Sequence, residues 1–183
     1  HSDITDDNKN ELLLLCARSG LASRVRAVLQ AGANAAHANQ NGNTALMLAC
    51  ENKHEAAAAE LMEATKRAGA LDLQDGLYKR SALHWASEKG LAGTVAQLLA
   101  LGADATLKDK RGKTSLTVAM EHKHDAAAEL LVQPTIDAGM DIDAQDSTGK
   151  TVLMRACANG LTNTAAKLVS LGANPELKDT RGG

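Results

Sequence analysis

TALMLAC, residues Thr44–Cys50, returns with small changes as SALHWAS (Ser81–Ser87), TSLTVAM (Thr114–Met120) and TVLMRAC (Thr151–Cys157). A degenerate copy, ELLLLCA, begins at Glu11. Successive copies start 33, 37, 33 and 37 residues apart. Periods of this length belong to arrays in which one supersecondary unit stacks on the next, because no unit can bury its apolar side alone. An array is one long surface, and its expected work is to hold another molecule.

The unit from Asp109 to Asp141 shows how each copy folds. Lys110, Arg111, Gly112 and Lys113 follow Asp109 as a turn, with Gly112 free to adopt positive φ. Thr114 is placed to cap a helix with its hydroxyl. Leu116, Ala119 and Met120 then fall at i, i+3 and i+4, the spacing of one helical face. A break at His124 and Asp125 precedes a second helix through Ala126, Ala127, Leu130 and Leu131. Pro134 is expected to stop that helix, since proline has no amide to donate. In the second unit, Ala64–Arg67 contains no breaker, so the helix there is expected to run about one turn longer.

With Gly90-Leu91, the Val95 to Leu99 stretch and Leu101-Gly102-Ala103-Asp104, this pattern resembles the ankyrin repeat. Gly-Ala-Asn recurs at Gly32–Asn34 and Gly172–Asn174, with Gly139-Met140-Asp141 as a variant. The resemblance covers about residues 10–183 and implies an all-α solenoid of five helix-turn-helix repeats joined by hairpin-like turns, at about 11–43, 44–80, 81–113, 114–150 and 151–183. The chain also departs from the family pattern. No proline follows the opening hydroxyl residue (Ala45, Ala82, Ser115 and Val152 stand there), and the motif histidine remains only as His84. The second and fourth units are four residues long in excess, which suggests that a 70-residue pair was duplicated. Residues 1–9 read as a polar leader whose His1 and Ser2 look like a tag remnant. Asn8 and Glu11 are placed as a capping-box pair.

Composition narrows the function. The 183 residues are 44% hydrophobic and 23% charged, with no Phe, one Trp and one Tyr. Base stacking on nucleic acid wants several aromatics beside basic residues, so two aromatics argue against it. Apolar runs such as Leu12–Ala17 are far too short to span a bilayer. No secretory signal is visible, and three cysteines on distant units favour free thiols, so an intracellular, cytoplasmic setting is expected. Cys16, Cys50 and Cys157 occupy a small, core-facing position in their units. His122 and His124 are two apart and should point to different sides, which speaks against a metal site. His54, His84 and His124 are expected in structural hydrogen bonds, and Trp85 in the core. No phosphate loop, nucleophile elbow or paired-carboxylate arrangement occurs, so neither catalysis nor a cofactor is expected.

Charge is unevenly spread. The four turn segments 75–81, 108–114, 145–151 and 178–183 hold nine cations and four anions, while the whole chain carries −2. The helices therefore carry the acids. By family analogy, partner contacts come from turn tips and the exposed ends of first helices: Gln40, Asn41, Asn43, Glu51 and Asn52; Leu77, Tyr78, Lys79, Arg80, Glu88 and Lys89; Lys110, Arg111, Lys113, Glu121 and His122; Ser147, Thr148, Lys150, Ala158 and Asn159. Tyr78, the one aromatic placed on a tip, is the expected anchor, because Tyr is enriched at binding hot spots. The expected function is non-catalytic binding of a protein or peptide, acidic if the basic tips face it. The alternatives are the regulatory or targeting arm of a larger enzyme or channel, and nucleic-acid binding through the tips. Leu153, Ala156, Leu168 and Val169 make the last unit read like an interior one, so further repeats and self-association at that end are expected.

Overall fold

The computed structural model describes residues 5–180 and 182, and ten helices form five successive pairs among them. The first helices are α1 (Asp6–Arg18), α3 (Ala45–Glu51), α5 (Ala82–Lys89), α7 (Ser115–Glu121) and α9 (Val152–Asn159). The second helices are α2 (Ala22–Gln30), α4 (Glu55–Arg67), α6 (Ala92–Ala100), α8 (Asp125–Asp137) and α10 (Thr162–Ser170). Each first helix packs on the next first helix and each second on the next second, which makes a two-layer all-α solenoid. The core is a continuous seam of small and branched side chains: Leu13, Leu46, Leu83 and Leu116 in one layer, and Val25, Leu61, Leu98, Leu131 and Leu168 in the other. Trp85 is also buried.

The hydroxyl residues cap as their positions predict. Thr44, Thr114 and Thr151 accept from the amides of Met47, Thr117 and Met154 at 3.4, 3.4 and 3.2 Å. In the third unit His84 completes the cap. Its Nδ1 accepts from the Ser81 amide at 3.3 Å, and its Nε2 lies 3.1 Å from the Lys113 carbonyl. These partners select the neutral tautomer with the proton on Nε2. Burial lowers the imidazole pKa, which favours the same uncharged form.

Several expectations are corrected. Asn8 and Glu11 do not form a capping box. Thr5 is the N-cap and accepts from the Asn8 amide at 3.4 Å, so residues 6–9 lie in α1 and not in a leader. Pro134 does not stop α8, which runs on to Asp137. The bond lost at the proline is to Leu130, on the exposed side, whereas Val132 and Thr135 are buried and Ile136 packs on the core. Burying that last turn outweighs one missing bond, and the Thr135 hydroxyl donates to the Leu131 carbonyl at 2.7 Å. The expected extension through Ala64–Arg67 is present in α4, so both long units carry a 13-residue second helix where the others have 9. Cys16 and Cys50 are buried, but Cys157 on α9 is exposed. The His122 and His124 rings do not point apart. They stack 6.3 Å from centre to centre with 8° between planes. His122 ends α7, His124 begins α8, and Lys123 between them has φ +59°, so helical spacing does not apply. The start of the leader at residues 1–4 and the tip cation Arg181 lie outside the described residues.

Candidate functional site

The turn tips at Asn39, Asp75, Asp109 and Asp146 are each an Asx-type loop built by one side chain. Asn39 Oδ1 accepts from the amides of Asn41 and Asn43 at 3.0 Å each. Asp109 Oδ1 does the same for Arg111 and Lys113 (2.8 and 3.0 Å), and Asp146 Oδ1 for Thr148 and Lys150 (2.7 and 3.1 Å). Burial alone would raise the Asp109 carboxyl, but the amides of Lys113 and Arg111, with Arg80 nearby, outweigh it and hold the pKa below its ordinary value. Neighbouring tips are tied together. The Gly76 amide donates to the Asn41 carbonyl at 2.8 Å, and the Lys110 amide to the Tyr78 carbonyl at 2.8 Å.

The second tip differs by one inserted residue, six from Asp75 to Arg80 where the others have five. Asp75 Oδ1 accepts from the amides of Leu77 and Tyr78 (3.0 and 2.6 Å), and its Oδ2 takes the Trp85 indole N–H at 3.2 Å. The left-handed position that glycine fills in the other tips is taken by Lys79, at φ +53°. The insertion pushes Leu77 and Tyr78 outward, leaving them 53% and 49% exposed. The Tyr78 ring meets Trp85 edge-on at 6.0 Å, and the Arg80 guanidinium sits 5.6 Å from the Tyr78 ring centre and 4.8 Å from that of Trp85.

These residues line one cavity of 610 Å³ with Glu51, Glu88, Asp109, Lys110, Arg111 and His122. Sequence position alone had placed most of them in a partner surface, and the fold gathers them on one groove between the tips and the first helices. A second hollow of 530 Å³ continues toward the fifth unit and holds Lys113, Glu121, Lys150 and Asn159. Gln40, Asn41, Asn43 and Asn52 lie around smaller polar hollows at the other end.

The expected basic line is largely neutralised from within. Arg80 is only 14% exposed, is ion-paired with Glu88, and has Nε 3.6 Å from Asp109. Lys89 Nζ is 3.0 Å from Glu88, and Lys113 Nζ is 2.5 Å from Glu121. Burial would raise the Glu88 carboxyl, but Lys89 and Arg80 outweigh it and lower its pKa. The pairs 80–88 and 113–121 join a tip cation to the residue eight positions on. The same spacing gives Asn43 and Glu51 in the second unit, and Lys150 and Ala158 in the fifth. Each of those pairs lacks one partner. Among the described residues, no ion pair holds Glu51, Lys79, Lys110, Arg111 or Lys150. The exposed His122 reaches Glu88 only at 4.0 Å.

Trp85 and Arg155 are among the lining residues that the sequence-based surface leaves out. Trp85, placed in the core, also forms part of the groove wall. Arg155 lines the second hollow and pairs with Asp146. Its signal was a charge at a position where the other units have Leu48, Trp85 and Val118. Among the described residues, no helix is long and apolar enough to cross a membrane, and no three His, Cys, Asp or Glu side chains gather to hold a metal ion.

Comparison with known proteins matches this architecture. A family model for ankyrin repeats in three copies covers residues 83–179, and a single ankyrin-repeat model covers 41–75. The chain is 30% identical over 179 residues to the mouse B-cell lymphoma 3 protein homolog, covering 97% of this chain and 39% of that protein. It is 29% identical over 159 residues to the chicken nuclear factor NF-kappa-B p105 subunit, covering 86% and 16%. A Caenorhabditis elegans homolog of transient receptor potential cation channel subfamily A member 1 is 32% identical over 139 residues, covering 75% and 11%. The chain thus spans less than half the length of these relatives. With five phased helix pairs, capped and looped alike, and a family model over more than half its length, the chain belongs to the ankyrin-repeat family.

Proposed function

We propose that this chain is a non-catalytic protein-binding array whose groove holds an extended acidic segment of a partner protein. Ankyrin repeats are protein–protein interaction modules, and the acidic character of the partner is argued from charge. Among the groove-lining residues of the third to fifth units, the charge left to a partner once the internal pairs are subtracted is positive, from Lys110, Arg111 and Lys150. That is the observation that carries the proposal. Tyr78, Lys79 and His122 join these residues as contacts. Arg80, Glu88, Lys89, Lys113 and Glu121 form the paired floor between them.

The test is a selection from a displayed library of random peptides against the intact chain and against the Lys110→Glu/Arg111→Glu variant. Both side chains are exposed, so the variant is expected to fold. Peptides enriched in Asp and Glu should emerge with the wild type and disappear with the variant, and the captured peptides should elute as salt rises. Equal enrichment by both proteins, or no acidic enrichment at all, overturns the proposal. Arg80 is unsuited to this test, because a glutamate there would face Glu88 and Asp109.

A second function is compatible with the same surface: the regulatory or targeting arm of a larger protein. It is supported by relatives of which the array is a minor part, one of them named as a homolog of a cation channel subfamily member.

A further inference from the structure

The inserted residue of the second tip changes what the groove can recognise. In the other tips the side chains around the left-handed glycine are polar: Asn41 and Asn43, Arg111 and Lys113, Thr148 and Lys150. Among the described tips, only the second presents a large apolar pair, Leu77 and Tyr78, and that pair is held in place before any partner arrives. The Asp75 carboxylate fixes both amides, the Tyr78 carbonyl is tied to Lys110, and the Tyr78 ring leans on Trp85 under the Arg80 guanidinium. A rigid aromatic with half its surface open loses little freedom on binding, which is the property of an anchor.

The charges left beside it are ordered along the groove. Glu51 lies toward the first unit, and Lys110 and Arg111 lie toward the fourth, on the same cavity wall. Resting on the protein-binding reading above, we propose that the Leu77–Tyr78 tip is an apolar subsite, and that the groove selects a polarised segment. That segment carries a large apolar side chain seated on Tyr78, carboxylates on the side of Lys110 and Arg111, and a cation facing Glu51. The partner is thus an extended peptide of mixed charge order, not a uniformly acidic one.

The chain supplies its own reporter, because its single Trp and single Tyr both line this subsite. Four synthetic decapeptides on a Gly/Ser background serve as probes, each titrated against the intact chain by Trp85 emission. One carries Lys, Phe and three Asp in that order, and one replaces its Phe with Ala. One replaces its Lys with Asp, and one replaces its three Asp with Lys. Phe adds no emission where Trp85 is excited. The first peptide should bind at least about ten-fold tighter than each of the others.

Tyr78→Ala should remove the advantage of Phe over Ala, while Tyr78→Phe keeps it. Neither variant touches the tip's main-chain hydrogen bonds, so both should retain the wild-type helical circular dichroism. Glu51→Lys should invert the preference between Lys and Asp at the first position, giving a gain of binding that damage to the fold cannot produce. If the Phe and Ala peptides bind alike while the Asp peptides still beat the Lys-rich one, the apolar subsite is wrong and the acidic-partner reading survives. If the Lys-rich peptide binds as well as the first, that reading fails. No change in Trp85 emission together with no binding by calorimetry overturns both.

Discussion

At the residue scale, the turn between first and second helices shows what one backbone atom decides. Units one, three and five have Gly20, Gly90 and Gly160 there, all near φ +73°. Units two and four have Lys53 and Lys123 in the same left-handed region, at +62° and +59°. A Cβ on Gly20 would lie 2.6 Å from the His54 ring of the next unit, and one on Gly90 would lie 2.6 Å from the His124 ring. Nothing lies within 4 Å at Gly160. Gly160→Ala should therefore show only backbone strain, about 1 kcal/mol, whereas Gly90→Ala adds displacement of a ring whose Nε2 bonds the Glu88 carbonyl at 2.8 Å. Chemical denaturation of the two variants should place Gly90→Ala well below Gly160→Ala, and equal losses would remove the ring contact from the account. His84 gives a pH prediction. Its folded pKa lies below the unfolded value of about 6.5, so its contribution is full above that value and is lost as pH falls toward the folded pKa. The carboxylates Asp109, Glu88 and Asp125 are also depressed, and their contributions are lost at lower pH still. Melting temperature should thus begin to fall just below neutrality. In His84→Gln, the first stage of that fall should be absent and only the carboxylate stage remain.

At the element scale, α4 and α8 have the same length although only α8 carries a proline. The last turn is buried in both, by Thr65 in α4 and by Thr135 with Ile136 in α8; Ala64–Arg67 adds a stretch without a breaker, whereas α8 passes Pro134 on the burial beyond it. The Ala138 amide still bonds the Pro134 carbonyl at 3.1 Å. Pro134→Ala should restore one helical bond and raise stability by about 1–3 kcal/mol in a denaturant titration. Hydrogen exchange should show protected amides from Thr135 to Ala138 in the unaltered chain; fast exchange there would return the proline to its expected role as a stop.

At the scale of the whole molecule, two kinds of interface alternate. Between units one and two, and three and four, a histidine packs on a glycine turn. Between units two and three, and four and five, an acid at the start of a long second helix clasps the next unit. Glu55 accepts from the Thr94 hydroxyl at 3.4 Å. Asp125 caps α10 from outside, accepting from the amides of Asn163 and Thr164 at 2.9 Å each. The solenoid is thus built of pairs. Deleting residues 44–113 joins unit one to unit four and keeps the Gly20–His124 match. Deleting only 81–113 puts His124 against Lys53, which has a Cβ. Array stability is a sum of unit and interface terms, and the mismatch should dominate. The shorter, pair-deleted chain should unfold more cooperatively and at higher temperature than the longer single deletion. The opposite order would show that the alternation has no energetic weight.

The repeat, the five units, the caps and the buried seam were legible in the chain, because local patterning controls them. A hydroxyl three residues before a free amide, an apolar residue every third or fourth position, and a glycine at most turns act within a few residues of themselves. What the sequence left open depends on side chains that only the folded arrangement brings together. Pro134 lies in a helix because of the burial beyond it. His122 stacks on His124 because the turn between them is left-handed. The charges of the groove follow the same rule. Counted along the chain, the tips are basic and the helices acidic. Only the fold showed that Arg80 and Lys113 spend their charge on Glu88 and Glu121, eight residues on, while Glu51, Lys110, Arg111 and Lys150 do not. Ion pairing falls off over a few ångströms, and tertiary structure alone sets which tip comes within reach of which helix.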